Sequence, residues 1–211
     1  MYLRVTAFKS DPAKLDAGVA FLKDKIFPSL GKLPGYLGAT CIVDREKGTG
    51  AASTLWESIE AMNKAEQAGN ESREKSAEAT GLDVVDVDRF EITTFEMASP
   101  TAQLPSYARL ITAYGDPKNA DKAAQTVRDE IVPRLKSQPG FRAFVAGINR
   151  MTGRGFTVSS WATPQQREAS NAAVADMRQQ ISERSSLYEQ QIALVETVIA
   201  DVKIPAGTQV R

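Results

Sequence analysis

Shifted by 105 residues, the chain matches itself without a gap. Positions 2–92 hold 20 identities in 91, where roughly one in sixteen is expected from average composition. Tyr2 meets Tyr107, Arg4 meets Arg109, and Asp11-Pro12 meets Asp116-Pro117. Ile26, Pro28 and Leu30 meet Ile131, Pro133 and Leu135, and Pro34-Gly35 meets Pro139-Gly140. Arg45, Gly48 and Gly50 meet Arg150, Gly153 and Gly155; Trp56 meets Trp161 and Glu91 meets Glu196. The matches fall at turns, helix caps and large aromatics, where a backbone is most demanding. Whatever one copy folds into, the other repeats.

Each copy reads strand, helix, strand, strand, helix, strand. The first strand spans 2–9 (107–114). Asp11-Pro12 opens a helix, with Asp as N-cap and Pro in the first turn. Leu15, Val19, Leu22 and Ile26 form its apolar stripe, which Pro28 interrupts and Pro34-Gly35 stops. Residues 36–43 and 51–56 make a hairpin around a glycine-containing turn. A second helix runs from Ser58 to about Ala79 (Thr163 to Ser185), with Gly69-Asn70 as the expected break in the first copy only. The last strand covers 84–95 (193–202). The expected domains are repeat 1 over 1–97, a linker at 98–106, repeat 2 over 107–203, and a tail at 204–211. This order is the ferredoxin-like plan, an α+β fold in which the helices cover one sheet face and leave the other bare. Two copies supply each other's partner, so two antiparallel sheets are expected to pack face to face.

The chain contains no histidine and one cysteine, Cys41. That excludes Ser-His-Asp and Cys-His catalysis, a histidine-ligated haem, the usual zinc sites and an intrachain disulfide. A metal would need carboxylates alone, and the best group, Asp83, Asp86 and Asp88, reads better as a solvated strand entrance. Lys plus Arg and Asp plus Glu number 26 each, so nothing suggests a nucleic-acid partner. No apolar run is long enough for a membrane helix, and the first residues do not form a signal peptide. A reducing cytoplasm is the expected location.

The Pro-Gly-aromatic motifs (Pro34-Gly35-Tyr36, Pro139-Gly140-Phe141), followed by Gly and then Trp56-Glu57-Ser58, resemble the dimeric α/β barrel superfamily. Within it they are most similar to the antibiotic biosynthesis monooxygenase domain, here as a tandem duplication closing an intrachain barrel. The resemblance implies a cofactor-independent oxygenase or related enzyme acting on a small aromatic or polyketide-like molecule. Its alternative is a non-catalytic ligand-binding or stress-related protein of the same fold. The polar patterns of the active branches are absent. The haem-degrading branch has an Asn on the first strand and a Trp and a His in the second helix, and neither copy has them. The quinone-forming branch has an Asn four residues before the strand-ending Trp and a Tyr six after it. Here those places hold Ala52 and Met62, or Thr157 and Arg167.

The candidate pocket residues are Trp56, Trp161, Tyr36, Phe8, Met62 and Phe141, with Phe27, Phe144, Phe156 and Tyr114 as further aromatic surface. For each, core packing is the bland reading. Alternation on the first strand sets Leu3, Val5 and Ala7 on one side and Tyr2, Arg4, Thr6 and Phe8 on the other. The second set is expected to face the barrel, with Arg4 pairing Glu91 and Arg109 pairing Glu196 as barrel-lining ion pairs. Met62 faces Arg167 in the repeat, Phe8 faces Ala113 and Cys41 faces Ala146, which points to at most one working pocket. No catalytic residue is assigned, and neither cofactor nor metal is expected. The expected partner is a small aromatic ligand, with no nucleic acid and no membrane. The expected state is a monomer that is its own pseudo-dimer, with a homodimer as the alternative.

Overall fold

The computed structural model describes residues 1–99, 103–184 and 188–203. The middle of the expected linker, the end of the second copy's long helix and the tail at 204–211 lie outside the described residues. The first half contains β1 (Tyr2–Lys9), α1 (Leu15–Phe21), α2 (Phe27–Leu30), β2 (Tyr36–Asp44), β3 (Thr49–Trp56), α3 (Ile59–Lys64), α4 (Glu66–Thr80) and β4 (Asp83–Met97). The second contains β5 (Ser106–Tyr114), α5 (Ala120–Thr126), α6 (Val132–Lys136), β6 (Phe141–Ile148), β7 (Arg154–Trp161), α7 (Pro164–Arg184) and β8 (Tyr188–Val202).

Local chemistry recurs at the 105-residue offset. Asp11 caps its turn by accepting the Ala13 N–H at 2.9 Å, and Asp116 accepts the Lys118 N–H at 2.9 Å. A π-helical turn joins α1 to α2 at Leu22–Ile26, and another joins α5 to α6 at Val127–Ile131. These turns explain how the helix carries on past Pro28 and Pro133. Proline has no N–H to give and crowds the carbonyl four residues back. The wider turn removes that conflict: the Phe27 N–H reaches the Leu22 carbonyl and the Val132 N–H the Val127 carbonyl, each five residues back. Both second strands carry a bulge, between Tyr36 and Gly38 and between Phe141 and Ala143. Glu57 N–H donates to the Gly35 carbonyl and Ala162 N–H to the Gly140 carbonyl, both at 2.9 Å.

The compact units do not follow the copy boundaries. Of the described residues, unit 1 takes Met1–Arg89 and residues 197–203, and unit 2 takes Phe90–Glu196. The last strands, β4 and β8, are 15 residues long and serve both units. In unit 1, β1 and β2 flank β3 in antiparallel ladders, with Tyr2 opposite Trp56. In unit 2, β5 and β6 flank β7 with Tyr107 opposite Trp161, and Glu91–Met97 of β4 pairs with β6. The hydrogen-bonded strand order closes on itself as an eight-stranded barrel, β1-β3-β2-β8-β5-β7-β6-β4. Among the described residues no helix is long and apolar enough to cross a membrane.

The first copy's second helix breaks at Ala65, not at Gly69-Asn70. Ala65 leaves helical geometry with φ −88° and ψ 12°, while Gly69 is buried inside α4. The equivalent stretch of α7 is unbroken, as the sequence suggested.

Candidate functional site

Each unit has a sheet–helix interface, and each is anchored by an arginine lying on a tryptophan. Arg4 is 3% exposed and its guanidinium carbon sits 5.8 Å from the centre of the Trp56 ring. Arg109 is equally buried, 5.4 Å from Trp161. Both tryptophans are fully buried. Arg4 donates to the Ala65 carbonyl at 3.3 Å and to the Met62 carbonyl, at the end of α3. Arg109 donates to the Arg167 carbonyl at 2.7 Å and to the Ser170 hydroxyl at 3.3 Å. Met62 and Arg167 occupy equivalent places, as do Ala65 and Ser170. Backbone carbonyls carry partial negative charge, so a guanidinium is a fitting donor to them.

This reverses the sequence-based orientation of β1. Tyr2, Arg4, Thr6 and Phe8 face the helices, not a barrel lumen, and Arg4 takes its carboxylate from Glu66 of α4, at 2.9 Å, instead of Glu91. The physical reason is that the helix side offers Arg4 both carbonyls and a carboxylate, while Phe8 enters the apolar cluster of Leu15, Leu22 and Ile26. Glu91 is held bidentately by Arg150, at 2.6 and 3.2 Å. Arg150 also binds Asp121 at 2.8 Å, as Arg45 binds Asp16 at 2.6 Å in the first copy. Arg109 likewise turns to α7, and Glu196 lies on β8. Arg4 and Arg109 are therefore directed to the helices and not into the barrel.

In unit 1 the interface is filled. Phe8, Leu15, Leu22, Ile26, Cys41 and Val43 are all buried and pack as one cluster with Val19 at its edge. Phe8 lies so close over Gly50 that a Cβ there would sit 2.5 Å from the ring. Burial pushes the Cys41 thiol up to about 12, which leaves it a packing group without thiolate reactivity at neutral pH. What remains open is a small cleft of about 50 Å³ lined by Arg4, Arg73, Ser72, Ser76 and the edge of the apolar cluster. Beside it one carboxylate receives three guanidiniums: Glu66 meets Arg4 at 2.9 Å, Arg89 at 2.7 Å and Arg73 at 3.1 Å. Burial alone would raise the Glu66 carboxyl; the Arg89 hydrogen bond and the three positive charges outweigh it and hold the group below its ordinary value.

In unit 2 the same interface is hollow. Ala113 stands where Phe8 does, Ala120 for Leu15, Ala124 for Val19, Val127 for Leu22 and Ala146 for Cys41. A cavity of about 150 Å³ results, walled by these residues with Ile111, Ile131 and Ile148. A Cβ on Gly155 would find nothing nearer than 3.5 Å, where Gly50 was pressed by Phe8. Phe156 forms one wall and packs edge-to-face on Phe90 at 4.9 Å, so it does not plug the space. The polar lining groups are Thr93, Thr157, Asn119 and Asp116, the last already engaged as a helix cap. Such a lining can enclose a small flat apolar molecule. The described walls present no free nucleophile and one carboxylate.

Of the candidate pocket residues Phe8 borders the unit 1 cleft, and of the further aromatic surface Phe27 borders that cleft and Phe156 the unit 2 cavity. Trp56, Met62 and Tyr36 form a separate packed cluster, with Tyr36 edge-on to Trp56 at 5.4 Å. The Tyr36 hydroxyl is pushed well above its usual value by burial and then by Asp201. Trp161, Phe141 and Phe144 pack with Val132, Leu135 and Val174. Most of the cavity walls escaped the sequence reading because small residues carry no chemical flag; Ala113, Ala120 and Ala124, set against Phe8, Leu15 and Val19 in the first copy, were the available signal. Glu66 escaped it too, although a buried Arg4 demands an anion.

No known family profile matches the chain. It is similar to the uncharacterised protein Rv2557 of Mycobacterium tuberculosis H37Rv, with 23% identity over 207 residues, covering 96% of this chain and 92% of that one. Among solved structures it resembles a candidate monooxygenase from Fusobacterium nucleatum, with a TM-score of 0.71 and 14% identity over 96% of this chain and 94% of the other. An anthrone oxidase-like protein matches with a TM-score of 0.66 and 16% identity, over 98% and 96% of the two chains. At these identities the likeness is one of fold: a mixed α+β chain with an eight-stranded barrel of the kind seen in monooxygenase-like proteins.

Proposed function

We propose that this chain is a tandem duplication of a ferredoxin-like repeat, of the antibiotic biosynthesis monooxygenase-like kind, and that its second unit binds one small aromatic molecule. It acts in the cytoplasm as a monomer that is its own pseudo-dimer, with neither nucleic acid nor membrane as partner. The observation that carries this reading is the apolar cavity of about 150 Å³ in unit 2, at the place where Phe8 and its neighbours fill unit 1 but for a cleft of about 50 Å³. An apolar cavity of roughly that size takes a single aromatic ring. The lining fixes shape more than charge, so recognition of a neutral ring with one small polar substituent, near Asp116 and Asn119, fits it best.

The test is calorimetric titration with phenol, toluidine and cyclohexanol, on wild type and Ala113→Phe. Saturable phenol binding that Ala113→Phe abolishes is expected. Equal binding by both proteins, or none by wild type, contradicts the reading.

A second reading is supported by the likeness to the monooxygenase and anthrone oxidase-like folds. The chain would then be a cofactor-independent oxygenase acting on a small aromatic or polyketide-like molecule, with Asp116 as the nearest base. Oxygen uptake with phenols and anthrones decides between the two. Uptake that Ala113→Phe and Asp116→Asn both remove establishes the oxygenase; binding without uptake establishes the carrier.

A further inference from the structure

The small cleft of unit 1 has an electrostatic character that the cavity of unit 2 lacks. Three guanidiniums, Arg4, Arg73 and Arg89, surround the single carboxylate of Glu66. Three positive charges against one negative leave the cluster with a surplus of two. Arg4 and Arg73 both line the cleft. Arg4 is 3% exposed, and its Nε–H is buried with no partner among the described residues. A buried guanidinium normally has its donors satisfied, and an orphaned one marks a site short of an acceptor. Gly69 packs directly against this guanidinium: a Cβ there would lie 2.6 Å from the Arg4 Nη1 as it is seated. The second copy has Val174 and Asn171 in place of Gly69 and Glu66, so this cluster belongs to unit 1 alone. Across the cleft stand Phe8, Leu22, Phe27 and Leu30.

We infer that the unit 1 cleft is a binding site for a small monocarboxylate, its carboxylate on the Arg4–Arg73 pair and its short apolar body against Phe8 and Leu22. A planar guanidinium matches a carboxylate in geometry as well as charge. The cleft is short, so the body is a few carbons long. Glu66 plays a double part. It holds the arginines in place when the cleft is empty, and it competes with the incoming anion for the same donors.

The experiment is a titration of the full chain with sodium butyrate, with n-butanol and sodium chloride as matched controls, read on the side-chain Nε–H resonances of Arg4 and Arg73. Butyrate is expected to give saturable shifts that neither control reproduces. Arg73→Gln should weaken binding by about ten-fold or more, the loss of one charged hydrogen bond, and Arg73→Lys should recover part of it. Glu66→Gln should tighten binding, because it removes the built-in competitor. Ala113→Phe should leave butyrate binding unchanged, which separates this site from the aromatic cavity of unit 2. Shifts matched by chloride or butanol, unchanged affinity in Arg73→Gln, or weaker binding in Glu66→Gln would each overturn the assignment.

Discussion

The two sheet–helix interfaces share a backbone and differ in what fills it. Both set an arginine on a tryptophan beneath a helix carbonyl, both carry a π-helical turn before a proline, and both bulge at the start of the second strand. Yet Phe8, Leu15 and Cys41 close the first interface, while Ala113, Ala120 and Ala146 leave the second open. Turns, caps and anchors thus fix the frame, and a handful of side-chain sizes decide whether it encloses a core or a pocket. Interiors are packed to near-crystalline density, so an apolar cavity of about 150 Å³ stands out against the filled first interface.

Reciprocal substitutions test the contrast most severely. Phe8→Ala should destabilise the protein by about 3–5 kcal/mol, as expected for a buried phenylalanine, measured as a shift of the urea midpoint. Ala113→Phe should do the opposite, stabilising by about 1 kcal/mol through cavity filling. Two destabilising results would mean that unit 2 is already well packed.

Gly69→Ala sharpens the comparison in a different way. In an ordinary exposed helix this change stabilises by about 1 kcal/mol. Here the new Cβ would meet Arg4 at 2.6 Å, so a net loss of about 1–3 kcal/mol is expected as the buried charge is displaced. A gain would show that Arg4 can move freely. The tryptophans give a smaller asymmetry. Trp56 Nε1–H donates to Thr54 Oγ1 at 3.0 Å, whereas Trp161 Nε1–H is buried with no partner among the described residues. Trp56→Phe should therefore cost about 1 kcal/mol more than Trp161→Phe, as read from paired denaturation curves.

The smallest effect concerns acid. The folded state holds the Glu66 carboxyl below its ordinary 4.5. A group depressed in this way contributes stability above its unfolded value and loses it as pH falls through the folded one. The stability gap between wild type and Glu66→Gln should be present at neutral pH and should close below pH 4.5. A gap that does not shrink at all as the solution is acidified would mean that the carboxylate's charge is not what holds the three arginines.

Much of this frame was legible in the sequence. The repeat, the strand spans, the aspartate caps and the hairpin turns follow from residues whose backbone demands are specific. The facing of β1 was not legible, because Leu3 and Val5 on one side and Phe8 on the other give both faces apolar character. Alternation then fixes the period but not the direction. Arg4 was settled by a partner 61 residues away, beyond any local pattern. The π-helical turns have no side-chain signature, so Pro28 read as an interruption of the helix. The unit boundaries moved because β4 and β8 are long enough to lend their two ends to different units. The pocket was half visible: the pairs Phe8/Ala113 and Cys41/Ala146 showed that the copies had diverged, while the eye went to tryptophans that pack elsewhere.

The claim that an aromatic ring is taken by unit 2 and not by unit 1 can be read from one crystal soaked in bromobenzene, using the anomalous signal of bromine. The account predicts a single strong peak among Ile111, Ala113, Ala124 and Val127 in wild type, none beside Phe8, and none anywhere in Ala113→Phe. A peak in the unit 1 interface, or an empty unit 2 cavity at saturating ligand, would contradict it.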